Sequence, residues 1–192
     1  MIRERIKSET KEAHDAVESV SYSKEIMSGK LNEAQYKELI RVNYSLNKAF
    51  EQEWDKLNFE VPSTLMLDHR SKIELLEKDM ELLGVDPMEL EHVNFKTSTF
   101  PEFMGSLYVF EGSTLGGSVI KKQLEKNVEL AHIKDFHFYK GYGDKTGMMW
   151  KLFLDELNKI EEKDQVDEAI LAATTAFDQI HSAFKNGTLS SK

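Results

Sequence analysis

The sequence predicts an all-α fold, a single domain of roughly six to eight helices. Three observations carry this. Apolar residues recur at helical spacing along almost every long segment. Only three Pro and ten Gly punctuate 192 residues, which leaves long uninterrupted stretches. No two segments show the alternation that strand pairing requires. A chain of this length fills one well-buried domain and is short for two. We see neither an internal repeat nor a low-complexity tract, so the domain is set at residues 1–186, with a polar C-terminal tail over 187–192.

The elements follow in order. Residues 2–19 place Ile2, Ile6, Ala13 and Val17 on one side of a helix, with His14 among them. After Gly29, Asn32 and Gln35 cap a long helix that runs to about Leu57, with Ala34, Leu39, Val42, Leu46, Ala49 and Trp54 as its apolar positions. Val61-Pro62-Ser63 breaks the chain. A helix over roughly 65–83 carries Leu67, Ile73, Leu76, Met80 and Leu83, and stops at Gly84, where Pro87 hinders a restart. Thr99, Pro101 and Glu102 form a T-x-P-E start signal for a helix that continues to about Asn127. Residues 135–147 are a Gly- and aromatic-rich connection. Helices at about 147–162 and 165–185 close the fold.

Composition excludes several classes of function. The chain is 40% hydrophobic and 31% charged, as soluble globular proteins are. It contains no Cys, which removes disulfides, thiolate metal sites and Cys nucleophiles. The opening MIRERIKSETKEAH reads as a charged helix and not as a signal peptide, so a cytoplasmic location is expected. A formal charge of −9 argues against general nucleic-acid binding. It leaves room for a local basic patch from Lys7, Lys11, Lys121, Lys122, Lys145 and Lys151. No membrane span is expected, because Glu102 and Glu111 interrupt an apolar run already shorter than the ~20 residues a span needs.

The helix over 100–122 is unusual. At about 100° per residue, Gly105, Ser106, Gly112, Ser113, Gly116 and Gly117 fall within roughly 140° of arc. A mid-helix Gly is disfavoured by about 1 kcal/mol relative to Ala, so Gly112, Gly116 and Gly117 need a reason. One reason is close packing against another helix. The other is a flat ligand lying against a surface stripped of side chains.

Among six His, two E-x-x-H pairs, Glu89/His92 and Glu129/His132, have the spacing of a di-iron carboxylate site. Both sit at ragged element ends, and no facing pair of Glu can be picked out. His14 lies inside the first helix, on or beside its apolar side, near Lys7, Lys11 and Glu18. A lone His there is most often a hydrogen-bonded core residue, but a neutral imidazole also serves as an axial ligand to haem iron. A haem sandwich needs an inward His, a second helix without bulk, and basic groups for two propionates. The chain offers all three. No G-x-S-x-G elbow or phosphate-binding Gly loop is present, and GYGD at 141–144 is too short for one.

On these residues the sequence resembles the biliverdin-producing haem oxygenases, in particular their bacterial branch. Thr10, His14 and Glu18 match the T-x-x-x-H-x-x-x-E pattern of the family's proximal helix. Leu107–Lys122 is similar to its bent distal helix, with Gly112, Gly116 and Gly117 in the G-x-x-x-G-G run. Tyr142-Gly143-Asp144 through Gly147, Trp150, Lys151 and Phe153 resembles a block common in bacterial members.

The resemblance implies a haem-oxygenase-like helical bundle that binds haem b, as substrate and prosthetic group, and O2. His14 would ligate iron and Glu18 would orient its imidazole. Gly112, Gly116 and Gly117 would lay backbone against the haem. Lys7 and Lys151 stand where propionate partners are expected, with Lys11 a further basic group nearby, and Phe177 stands where a pocket-wall aromatic is expected. Animal members carry an Asp after the first distal Gly that orders proton-delivering waters; here that position is Ser113, which leaves the proton route to Ser113, Thr114 and solvent. Electrons would come from an external donor, a ferredoxin or reductase, with Lys121, Lys122 and Lys126 as its docking patch. Products would be biliverdin, CO and Fe2+. The rival on the same fold is a non-catalytic haem sensor or store.

Overall fold

The computed structural model describes residues 1–90 and 93–190, the last four of these in backbone only. Among them the fold is all-helical. Its first helix is not continuous: α1 spans Ile2–Glu9 and α2 spans Lys11–Val20. Thr10 marks the break, buried, with its hydroxyl donating to the Ile6 carbonyl at 2.6 Å. Such back-bonding bends helices, and the 3.6-residue pattern on either side conceals it. α3 (Ser23–Ser28) follows Tyr22, which has φ +58°.

Helix α4 (Glu33–Trp54) starts at the expected capping box, with Gln35 N–H donating to Asn32 Oδ1 at 2.9 Å and the Asn32 N–H donating back to Gln35 at 3.0 Å. α5 covers only Ile73–Leu83 and ends on Gly84 in the left-handed region. The first part of the expected helix is instead two short 3-10 turns, Ser63–Leu65 and Leu67–His69, hinged at Met66 with φ +52°. They wrap the buried Arg70, whose Nε donates to Leu65 O at 2.6 Å.

Helix α6 (Phe100–Lys126) runs unbroken through all its glycines. Thr99 caps it by accepting from Glu102 N–H at 3.3 Å, and the Glu102 carboxylate accepts from Ser98 N–H at 2.9 Å. α7 (His137–Lys140) is a single turn within the aromatic-rich connection, α8 covers Thr146–Leu157, and α9 covers Lys163–Ser190, running beyond the expected end at 185. Residues 191–192 of the expected tail, and His92, lie outside the described residues.

Helix α9 organises the molecule, packing against α1, α2, α4 and α6. Ala169, Ala172, Ala173 and Ala176 are all fully buried along it. This smooth face lets α6 come close: a Cβ on Gly105 would overlap the Ala169 carbonyl. Beneath lies an aromatic core in which Phe50 stacks on Phe110 at 4.3 Å between centroids. No described helix is long and apolar enough to cross a membrane.

Candidate functional site

The glycines of α6 divide into two groups. Gly105 and Gly117 are packing positions: Gly105 meets Ala169, and a Cβ on Gly117 would lie 2.9 Å from the Tyr139 carbonyl oxygen. At Gly112 a Cβ would meet nothing within 4 Å, and at Gly116 only Ile120 of the same helix, at 4.0 Å. Helix packing therefore accounts for the outer two glycines and not for Gly112 and Gly116. On the same side of α6 as these two, by helical rotation, stand Leu115 and Val119, 46% and 49% exposed. The result is a backbone-floored apolar strip that nothing in the described chain covers.

A second strip lies on α2. Its apolar positions Ala13, Ala16, Val17 and Val20 are only half-buried, and no residue of this helix is fully buried. Both α2 and α6 pack on α9. From the Gly105–Ala169 contact, Gly112 lies two turns along α6 and Phe177 about two turns along α9.

His14 belongs to α2 and is not a core residue: its side chain is 54% exposed. Phe177, buried on α9, meets the imidazole edge to face at 5.7 Å. Nδ1 of His14 lies 3.7 Å from Asp15. Among the described residues, the group of His and carboxylates close enough to share an ion is His14, Asp15 and Glu18, with ligand atoms all within 4.8 Å of one another. Glu18 approaches the imidazole without a hydrogen bond to it. Of the alternative pairs, His132 faces Glu33 of α4 at 3.2 Å.

The basic groups differ in availability. Lys7 is exposed and has no ionic partner among the described residues. Lys11 is paired with Asp15, which its ammonium holds below the usual carboxylate range. Lys151 is paired with Asp155 at 2.6 Å. The hydroxyls beside Gly112 are turned inward to their own helix: Ser113 donates to Phe110 O and Thr114 to Glu111 O, each at 2.7 Å. Their lone pairs stay free to accept from water. Lys121, from the expected docking patch, is tied to Glu125 at 2.5 Å and Asp135 at 3.4 Å, while Lys122 and Lys126 are exposed.

Sequence reasoning missed a buried polar cluster directly behind Gly112. Glu111, 2% exposed, is salt-bridged to the fully buried Arg70 and accepts from Tyr142 Oη at 2.6 Å. Lys72 Nζ donates to that phenol at 2.5 Å and to Arg70 O at 2.6 Å, and lies 3.5 Å from Glu111. Burial pushes the Lys72 ammonium below its ordinary value, and burial beside Glu111 pushes the Tyr142 phenol up. The one available signal was Glu111 itself, a charge inside an otherwise small and apolar run. Its partners sit 41 and 31 residues away in sequence.

The fold is shared with solved haem oxygenases of low sequence identity. The structure from Leptospira interrogans is 18% identical with a TM-score of 0.77, and 96% of this chain covers 98% of that one. A haem complex from the cyanobacterium Synechocystis is 18% identical with a TM-score of 0.76, over 99% and 94% of the two chains. The NO- and CO-bound protein from Neisseria meningitidis is 22% identical with a TM-score of 0.70, over 97% and 92%. No curated protein sequence matches significantly. The Heme oxygenase family model, however, matches residues 1–186, and with the shared helical architecture, this chain belongs to the heme oxygenase family.

Proposed function

We propose that the chain is a haem oxygenase that opens the macrocycle with O2 and external electrons, giving biliverdin, CO and Fe2+. The observation that carries this reading is the pair Gly112 and Gly116, two mid-helix glycines whose missing side chains face open space. A flat ligand is what such a surface admits. The half-buried α2 strip with its exposed imidazole would supply the other side.

The haem brings the reactive iron and the carbon skeleton that is cleaved, while the protein supplies binding, orientation and proton access. His14 would hold the iron through a ring nitrogen, its imidazole in edge contact with Phe177. Glu18, within reach of the imidazole, would steady it. Gly112 and Gly116 would leave room for the flat ligand against the backbone of α6. Gly117 acts one step removed, seating α6 on Tyr139. Ser113 and Thr114 anchor water through their lone pairs, so protons reach the site from solvent and not from a carboxylate. Lys7 is ready to meet a propionate, whereas Lys11 and Lys151 must first leave Asp15 and Asp155. Electrons come from a ferredoxin or reductase, for which Lys122 and Lys126 offer exposed positive charge. We place the reaction in the cytoplasm, where such reduced carriers are at hand.

The test is a haemin titration of wild type and His14→Ala, read by absorbance and followed in air after a reductant is added. Wild type should bind one haemin per chain and decay to a bilin spectrum. His14→Ala should change the spectrum and lose at least about tenfold in affinity. Binding without decay in wild type would make the protein a haem store or sensor, and no binding would overturn the haem reading.

A further inference from the structure

The open face of α6 raises a mechanical question. Gly112 and Gly116 bring no side chain to the front of the helix, and Leu115 and Val119 beside them stay about half exposed, without a partner among the described residues to interlock with. Ridge-and-groove packing, which fixes the rotation of most helices, is therefore missing in this stretch. The front contact at Gly105 lies seven residues earlier. Rotation here has to be set from the flanks, by Gly117 seated on Tyr139 on one side and by Glu111 on the other.

The buried cluster is placed to do so. Glu111 lies about 100° around the helix from Gly112 and about 140° from Gly116. Its two carboxylate oxygens are held from different parts of the fold. Arg70, in the segment before α5, takes one and also donates to Met149 O of α8 at 3.0 Å. Tyr142, from the connection before α8, takes the other. Lys72 backs both, its ammonium 4.0 Å from the centre of the Tyr142 ring and its own N–H donating to Glu51 of α4 at 2.9 Å. One carboxylate on α6 thus meets groups anchored to α4, α5 and α8.

A buried ionic cluster is a poor device for stability, since desolvation offsets most of the attraction and apolar packing would serve as well. What it supplies is directionality: apolar side chains tolerate a turned helix, whereas a carboxylate turned away from a buried guanidinium leaves both charges unpaired.

We propose that Glu111 is a positioning residue, clamped by Arg70, Lys72 and Tyr142 so that Gly112 and Gly116 keep facing the ligand. The ligand is haem only if the preceding reading holds; the clamp itself is a property of the free protein.

The experiment compares wild type, Glu111→Gln and Tyr142→Phe by amide hydrogen exchange in the haem-free protein and by haemin titration. Glu111→Gln should speed exchange over residues 112–119 by about tenfold while residues 100–107 and α9 stay unchanged, and should weaken haemin binding by a similar factor. Tyr142→Phe keeps the ring over Lys72 and should act in the same places, by about threefold; if Glu111→Gln does not fold, this variant decides. Exchange that is unchanged, or that rises equally along the whole of α6, overturns the clamp. So does haemin affinity within about twofold of a wild type that binds it. A wild type that takes up no haemin overturns the haem reading and leaves exchange alone to judge the clamp.

Discussion

At the scale of single residues, the glycines of α6 separate stability from ligand handling. Gly105→Ala would push a methyl into the Ala169 carbonyl, and overpacking at such a crossing destabilises by about 1–3 kcal/mol or more. Gly112→Ala and Gly116→Ala meet no such obstacle. Each should raise the stability of the haem-free protein by about 0.5–1 kcal/mol through helix propensity. The same two changes would place a methyl in the path of the proposed ligand, so haemin affinity should fall as stability rises. Denaturant unfolding beside haemin titration checks both halves, and a Gly112→Ala protein that binds haemin normally would refute the assignment of that face. The apolar spacing around His14 admits a satisfied core imidazole beside the iron-ligand reading, and a side chain 54% exposed removes the first.

At the scale of elements, starts were more legible than continuity. The Asn32/Gln35 box opens α4 and Thr99 opens α6, because a cap is a local device written within four residues. Asn32→Ala should lower stability by about 1 kcal/mol in denaturant unfolding without affecting haemin binding. Breaks inside helices were invisible where long-range partners cause them. The 63–70 segment coils into 3-10 turns and delivers Arg70 to Glu111, 41 residues on, and no periodicity records that contact. The clamp was hidden for the same reason. Gly112 and Ser113 stood out in sequence through a spacing within one helix, and Thr10 and Glu18 through the resemblance of the pattern around His14 to a known family. Which glycines pack and which stay bare depends on α9 and Tyr139, and only the assembled fold sorts them.

The molecule as a whole carries several phenols in its interior. Burial, with Asp79 nearby, pushes Tyr36 and Tyr139 far above the ordinary tyrosine value of 10.0, and burial with Glu111 does the same for Tyr142. A group whose folded pKa is raised contributes full stability below its unfolded pKa and loses it as pH rises beyond that point. Stability should therefore fall above about pH 10, by about 1.4 kcal/mol per pH unit for each of the three. An alkaline titration followed near the phenolate absorbance should show these tyrosines ionising together with loss of helical signal. Smooth independent ionisation in a protein that stays helical would contradict their burial.

Helix α2 buries none of its residues fully, although it bears His14 and Glu18. On the proposed reading, what the chain needs in order to fold and what it needs in order to grip its ligand are written largely on different residues. Variation can explore new ligand affinities at the exposed positions of α2, while the alanine face of α9 keeps the architecture intact.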